Sequence, residues 1–371
     1  MNLPQRFLKF NQALLDVAKD LRHFGCDRHR LVDELKTLTA VWMAILLGHL
    51  SGVQHVGWAA FSGYIVMKAD VGESFTRGCM RVLGTCIGGI GAVLALSYVP
   101  LESIKQTLPL AMVGFVTLYM TMVGRYSYAW LLAGLTYSMI ILAGLQTPTQ
   151  VERFASSRLL EVGLGTLACG VVSVVFSYSI GARWPSKARA PIVPEQRALR
   201  FWQPLALRHA LQGAFALAIL SLCAGWNFDL DISQAAITIL AVMVVPLDGL
   251  SEASKAVSKR LMHRMAGCLL GGGFAAVLLL FSQGSQVMTL ILVAVGVLIG
   301  RHIENSSLNM KYLGMQFSLA FLVVMVPDQY DYIDPIVGLK RLGGILLGFF
   351  VLELVKFFSN LLVHYRSTRF D

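Results

Sequence analysis

Arg158 and Glu161 stand three residues apart inside an apolar run, and Gly165 follows four residues later. On a helix this spacing puts all three on one stripe, with the glycine allowing a neighbouring helix to come close. A guanidinium is a planar fork of donors that matches a carboxylate bidentately, so Arg158 can hold the carboxylate of an organic anion. A structural ion pair with Glu161 is the other reading of the same residues. Arg341 occupies the corresponding place in a later run, where Gly344 stands in the position of the acid. Without a partner on its own helix, Arg341 is the better candidate to meet a mobile anion. Glu161 is the candidate for proton coupling, because a carboxyl buried beside an apolar wall can take up a proton.

These side chains need a scaffold that holds charge inside apolar surroundings. The 371 residues are 56% hydrophobic and only 14% charged, against about a quarter charged in a soluble domain. Six apolar runs lie between Leu35 and Ile180 and six more between Leu205 and Phe358. The expected fold is therefore an all-α polytopic membrane protein with about twelve transmembrane helices. The net charge of +10 does not point to nucleic acid, because Lys and Arg gather in alternate connectors, as cytoplasmic loops require. That set includes 22–36, 68–81, Arg125, 183–208, 255–264, Arg301 and 366–369, so both termini are placed inside. The opposite loops carry Glu102, Glu152, Asp229, Asp231, Asp328, Asp331 and Asp334.

The two sets of six repeat each other. Arg81-Val-Leu-Gly84-Thr-Cys-Ile-Gly88 matches Arg264-Met-Ala-Gly267-Cys-Leu-Leu-Gly271, and Arg158 with Gly165 matches Arg341 with Gly348, both at an offset of 183. An even number of crossings per half makes the two six-helix repeats parallel, with a pseudo-twofold axis along the membrane normal. The expected organisation is an amphipathic cytoplasmic N-terminal helix over 1–34, a first membrane half over 35–181 and a Pro-rich basic linker over 182–204. A second half over 205–360 and a cytoplasmic tail over 361–371 complete it.

Arg77, Arg81, Gly84 and Gly88 form a stripe repeated as Arg260, Arg264, Gly267 and Gly271. Its cations could gather anions at an inner mouth, although topology alone also places arginines at cytoplasmic helix ends. Tyr64, Tyr137, Tyr119 and Trp58 could stack on an aromatic substrate or serve as packing and interfacial residues. Asp70 and Asp248 read as partners of nearby arginines or caps, and His49 and His55 as hydrogen-bonded residues near an outer loop. The six cysteines lack metal-ligand spacing, and no phosphate-cradling loop, nucleophile elbow or histidine cluster is present. Neither an enzyme nor a metal or other cofactor is expected.

The segments Trp58-Ala-Ala-Phe-Ser-Gly-Tyr-Ile-Val66, Arg81-x-x-Gly84-Thr85-x-x-Gly88, Arg158-Leu-Leu-Glu161-x-x-x-Gly165, Tyr312-Leu-Gly-Met-Gln-Phe-Ser-Leu-Ala-Phe321 and Arg341 with Gly348 resemble the fusaric acid resistance and aromatic acid exporter family. The resemblance covers roughly Leu35 to Phe358. It implies an exporter of aromatic or other carboxylate anions in the bacterial inner membrane, working with a periplasmic adaptor protein, and it adds Arg81 and Arg264 to the substrate-binding candidates. With no nucleotide site, the energy would come from an ion gradient or the substrate's own gradient. A passive anion channel and a non-transporting membrane scaffold are the alternatives, and the sequence leaves a homo-oligomer open.

Overall fold

The computed structural model describes residues 28–53, 55–179, 202–226, 229–282, 285–306, 310–326 and 335–367. Among them are twelve α-helices and no strand. The first six are α1 (Arg28–Leu50), α2 (Val56–Val66), α3 (Val71–Tyr98), α4 (Ser103–Val123), α5 (Ser127–Gln146) and α6 (Val151–Ser179). The second six are α7 (Pro204–Ala224), α8 (Ile232–Met243), α9 (Ala253–Ser282), α10 (Gln286–Glu304), α11 (Lys311–Met325) and α12 (Pro335–Ser367). Residues 1–27 of the expected amphipathic segment, 182–201 of the linker and 368–371 of the tail lie outside the described residues.

Eight helices, α3 to α7, α9, α10 and α12, are long and apolar enough to cross a membrane, and the chain is an all-α, multi-pass membrane protein. The shorter α2, α8 and α11 have 11, 12 and 15 residues. At 1.5 Å per residue they span roughly 17 to 22 Å, less than a ~30 Å hydrocarbon core. The expectation of a helix starting near Leu35 needs adjusting, since α1 begins at Arg28 and its first turns carry Arg30, Asp33, Glu34 and Lys36.

Lipid as solvent explains the surface of α3. Leu83, Ile87, Ile90 and Leu94 are exposed at steps of four, three and four, whereas Arg81, Gly84, Thr85, Gly88 and Ala92 are buried on the other side. Such an apolar stripe is unfavourable in water and costs nothing in hydrocarbon. A side chain at Gly88 would overlap the carbonyl of Ala133 on α5, and one at Gly271 would overlap that of Phe317 on α11. Gly165 meets the Ala59 carbonyl on α2 in the same way, and Gly348 meets the Ala235 carbonyl on α8. Corresponding glycines of the two halves therefore make corresponding approaches.

The compact units do not follow the linear halves. One comprises 1–74, 164–180 and 263–335, and the other 75–163, 181–262 and 336–371. In the first, α10 packs along α1 and α11 along α2; in the second, α4 packs along α7 and α5 along α8. Each unit thus joins the first two helices of one half to the fourth and fifth of the other. The second unit's core runs through Leu110, Leu118, Ile140, Leu217, Leu220, Ile239 and Leu240. The first unit's runs through Val41, Ile45, Tyr64, Val293, Phe321 and Leu322.

Candidate functional site

In the second unit, α6 holds Arg158 and Glu161 buried, with Nη1 of the arginine 3.3 Å from Oε2 of the acid. Ser157 donates to the other oxygen of Glu161 at 2.6 Å, and the guanidinium lies over the Phe154 ring at 4.7 Å. The i,i+3 pairing read from the spacing is made.

Arg341 differs from its expectation. Gly344 stands three residues on in place of an acid, but Asp231, ahead of α8, brings Oδ2 to 4.0 Å from Nε. The backbone fixes this approach: Asp231 N–H donates to the Lys340 carbonyl at 3.2 Å, and Gly344 leaves room for the Asp231 carbonyl. A carboxylate from a separate element stands where α6 supplies its own. Asp231 had read only as an outer-loop acid, because its partner lies in a remote part of the sequence.

Arg81 is buried on α3 and donates through Nη1 to the Tyr128 hydroxyl at 3.1 Å, while Arg77 stacks over the Tyr128 ring at 4.1 Å. In the first unit, Arg264 is buried on α9 and donates through Nη1 to Oε1 of Gln316 at 2.7 Å. A guanidinium has five N–H donors in a rigid fork, so a bond through one of them helps to set its plane.

Of the aromatic candidates, Tyr64, Tyr137 and Trp58 are buried, and Tyr119 is partly buried. Tyr137 packs among Ala92, Ile140 and Leu142 in the second unit's core. Trp58 lies 5.1 Å from Phe61 between ring centroids. Tyr64 is fully buried; its hydroxyl donates to Oε2 of Glu304 at 2.7 Å and accepts from Ser318 at 2.9 Å, and Arg301 sits over its ring at 5.6 Å.

Tyr64 belongs to a buried polar cluster that the sequence reading missed. Arg301 donates through Nε and Nη2 to Asp33 at 2.8 and 3.2 Å, and its Nη1 lies 3.2 Å from Glu304. Asn305 donates to Asp33 at 2.7 Å. Nδ1 of His302 lies 2.8 Å from Oε1 of Glu34, and Arg30 donates to the His302 carbonyl at 2.7 Å. Lys36 donates to the carbonyls of Lys68 and Ala69 at 2.9 and 3.3 Å. Burial alone would raise the Asp33 carboxyl, but the Arg301 guanidinium and the Arg301 and Asn305 hydrogen bonds hold it below its ordinary range. Burial raises Glu34, and the His302 hydrogen bond offsets this only in part. A signal existed: Asp33-Glu34-Leu-Lys36 and Arg301-His302-Ile-Glu304 carry opposite charge patterns at the same spacing.

Among the described residues no group of His, Cys, Asp and Glu side chains could hold a metal ion.

Over 156 residues the chain is 29% identical to the p-hydroxybenzoic acid efflux pump subunit AaeB of Escherichia coli O9:H4 (strain HS) and to its namesake in Shigella boydii serotype 4 (strain Sb227). The match takes in 38% of this chain and 24% of either relative, so the chain spans about a quarter of the length of the curated relatives it matches. No solved structure matches. Residues 31–200 fit the model of the fusaric acid resistance protein family, and residues 249–355 fit a second model described as fusaric acid resistance protein-like. This chain is a member of the fusaric acid resistance protein family.

Proposed function

We propose that the protein exports small organic anions, foremost aromatic carboxylates, across a bacterial inner membrane, with both termini in the cytoplasm and the two six-helix halves related as parallel repeats. The observation that carries this reading is the set of arginines in apolar helices, Arg158, Arg341, Arg81 and Arg264, each fixed in orientation by an acid, a hydroxyl or an amide. Placing such cations inside a bilayer is costly, which favours a role in handling anions. The likeness to p-hydroxybenzoic acid efflux pump subunits supports the choice of substrate class. In this reading a substrate carboxylate competes with Glu161 for Arg158 and with Asp231 for Arg341, and the proton-motive force drives net efflux, with Glu161 as the proton-coupling acid. Tyr64, Tyr137 and Trp58 would reach an aromatic ring only after a rearrangement that uncovers them. A periplasmic adaptor and self-association belong to the same proposal.

The test is flux of 4-hydroxybenzoate in proteoliposomes with and without an imposed pH gradient, for the wild-type protein, Arg158→Ala and Arg341→Ala. Accumulation against the substrate gradient that both substitutions abolish supports a proton-coupled exporter. Flux that runs only downhill replaces it with a channel. No flux above empty liposomes removes this substrate from the proposal.

A further inference from the structure

Adjacent carboxylates on α1 meet opposite surroundings. Asp33 takes three donors from Arg301 and Asn305. Glu34 is 0% exposed, has His302, itself 1% exposed, against Oε1, and its Oε2 is buried without a hydrogen-bond partner among the described residues. An anionic oxygen enclosed without a donor is far more costly than the same oxygen carrying a proton. Neighbouring carboxyls driven apart in this way take different protonation roles.

The groups acting on Glu34 are His302, Arg30 and Asp33. Around them stand Lys36 on α1, Tyr64 on α2, and Arg301 and Glu304 on α10. With the imidazole neutral, the cations Arg30, Lys36 and Arg301 formally balance the carboxylates Asp33, Glu34 and Glu304. One added proton leaves the cluster with a net positive charge.

We propose that Glu34 and His302 together form a proton-binding site at the inner ends of α1 and α10, and that taking up one proton from an acidifying cytoplasm raises the rate of anion export. The second part rests on the reading of the chain as an exporter. The proton comes from cytoplasmic water, resides on the Glu34 carboxyl or is shared with Nδ1 of His302, and returns to water when the pH recovers. The net positive charge it creates attracts an anionic carboxylate to the inner face. The signal suits the cargo: a weak organic acid that enters as the neutral molecule releases its proton inside, so the event that delivers the anion also loads the site.

Two readouts test this on the full-length protein. In detergent, infrared difference spectra between about pH 8 and pH 5, the range over which an imidazole titrates, should show a carboxyl protonation band that Glu34→Gln removes and His302→Gln shifts. Both substitutions keep hydrogen-bonding atoms at the site. In proteoliposomes with equal pH on both faces, 4-hydroxybenzoate flux should rise roughly three- to tenfold from pH 7.5 to 6, and Glu34→Gln should flatten that rise. A spectrum with no band assignable to Glu34 overturns the site whether or not the protein transports. A band accompanied by an unaltered flux profile in Glu34→Gln overturns its control of export. Wild-type protein without any flux removes 4-hydroxybenzoate from the exporter reading and overturns the control of its export, while the band would still establish the proton site.

Discussion

Nδ1 of His302 lies 2.8 Å from Oε1 of Glu34, and the neighbouring pair, Arg301 with Asp33, is separated along the chain by the same 268 residues. Two consecutive residues of α10 therefore meet two consecutive residues of α1 in register. Removing one member of such a buried pair strands the other, at a cost of about 3 to 5 kcal/mol. Asp33→Ala should lower the thermal unfolding midpoint in detergent substantially, and Asp33→Asn, which keeps an acceptor for Arg301, should lower it less. Equal midpoints for the two variants would show that the carboxylate does not hold Arg301 in place.

The two acids of α1 should respond to pH with opposite sign. Asp33 is depressed in the fold, so its stabilisation is complete above about pH 4 and is lost as the pH falls through its folded value. Glu34 is raised, so its contribution is complete below its ordinary value and shrinks as the pH climbs through the raised one. Midpoints measured across pH should lose the acid limb in Asp33→Asn and the decline at higher pH in Glu34→Gln. A variant profile parallel to wild type would remove that residue from the account.

Glycines on α9 separate packing from helix propensity. Gly271→Ala sets a methyl against the Phe317 carbonyl and should destabilise by about 1 to 3 kcal/mol. A Cβ at Gly273 meets nothing within 4 Å, so Gly273→Ala should be neutral or stabilise by up to about 1 kcal/mol. Unfolding midpoints of the two variants, measured side by side, should differ in that order.

Arg264 and Gln316 should act as a unit. Their substitutions to Lys and Leu, alone and together, should show a coupling of about 0.5 to 3 kcal/mol in a double-mutant cycle. Additive effects would mean that the 2.7 Å bond between them does not set the guanidinium.

Much of the fold was legible because its determinants are local. The Arg81 to Gly88 and Arg264 to Gly271 stripes show their close-packing face by spacing alone, and the ion pair of Arg158 with Glu161 follows from i,i+3 geometry. What stayed hidden depends on contacts between distant segments. Asp33 and Glu34 read as part of a surface segment because they precede the apolar run starting at Leu35, yet α1 begins earlier and carries them under α10. Asp231 read as a loop acid for a similar reason, since only the packing of Gly344 brings it beside Arg341.

The crossing of partners between halves has a consequence for biogenesis. During membrane insertion, α4 and α5 emerge before the α7 and α8 surfaces they will cover, and α1 and α2 must wait for α10 and α11. The early segments spend that interval exposed to bilayer lipid or to insertion chaperones. A polypeptide cut at the linker should then yield two fragments that accumulate poorly when made singly and protect each other from proteolysis when made together.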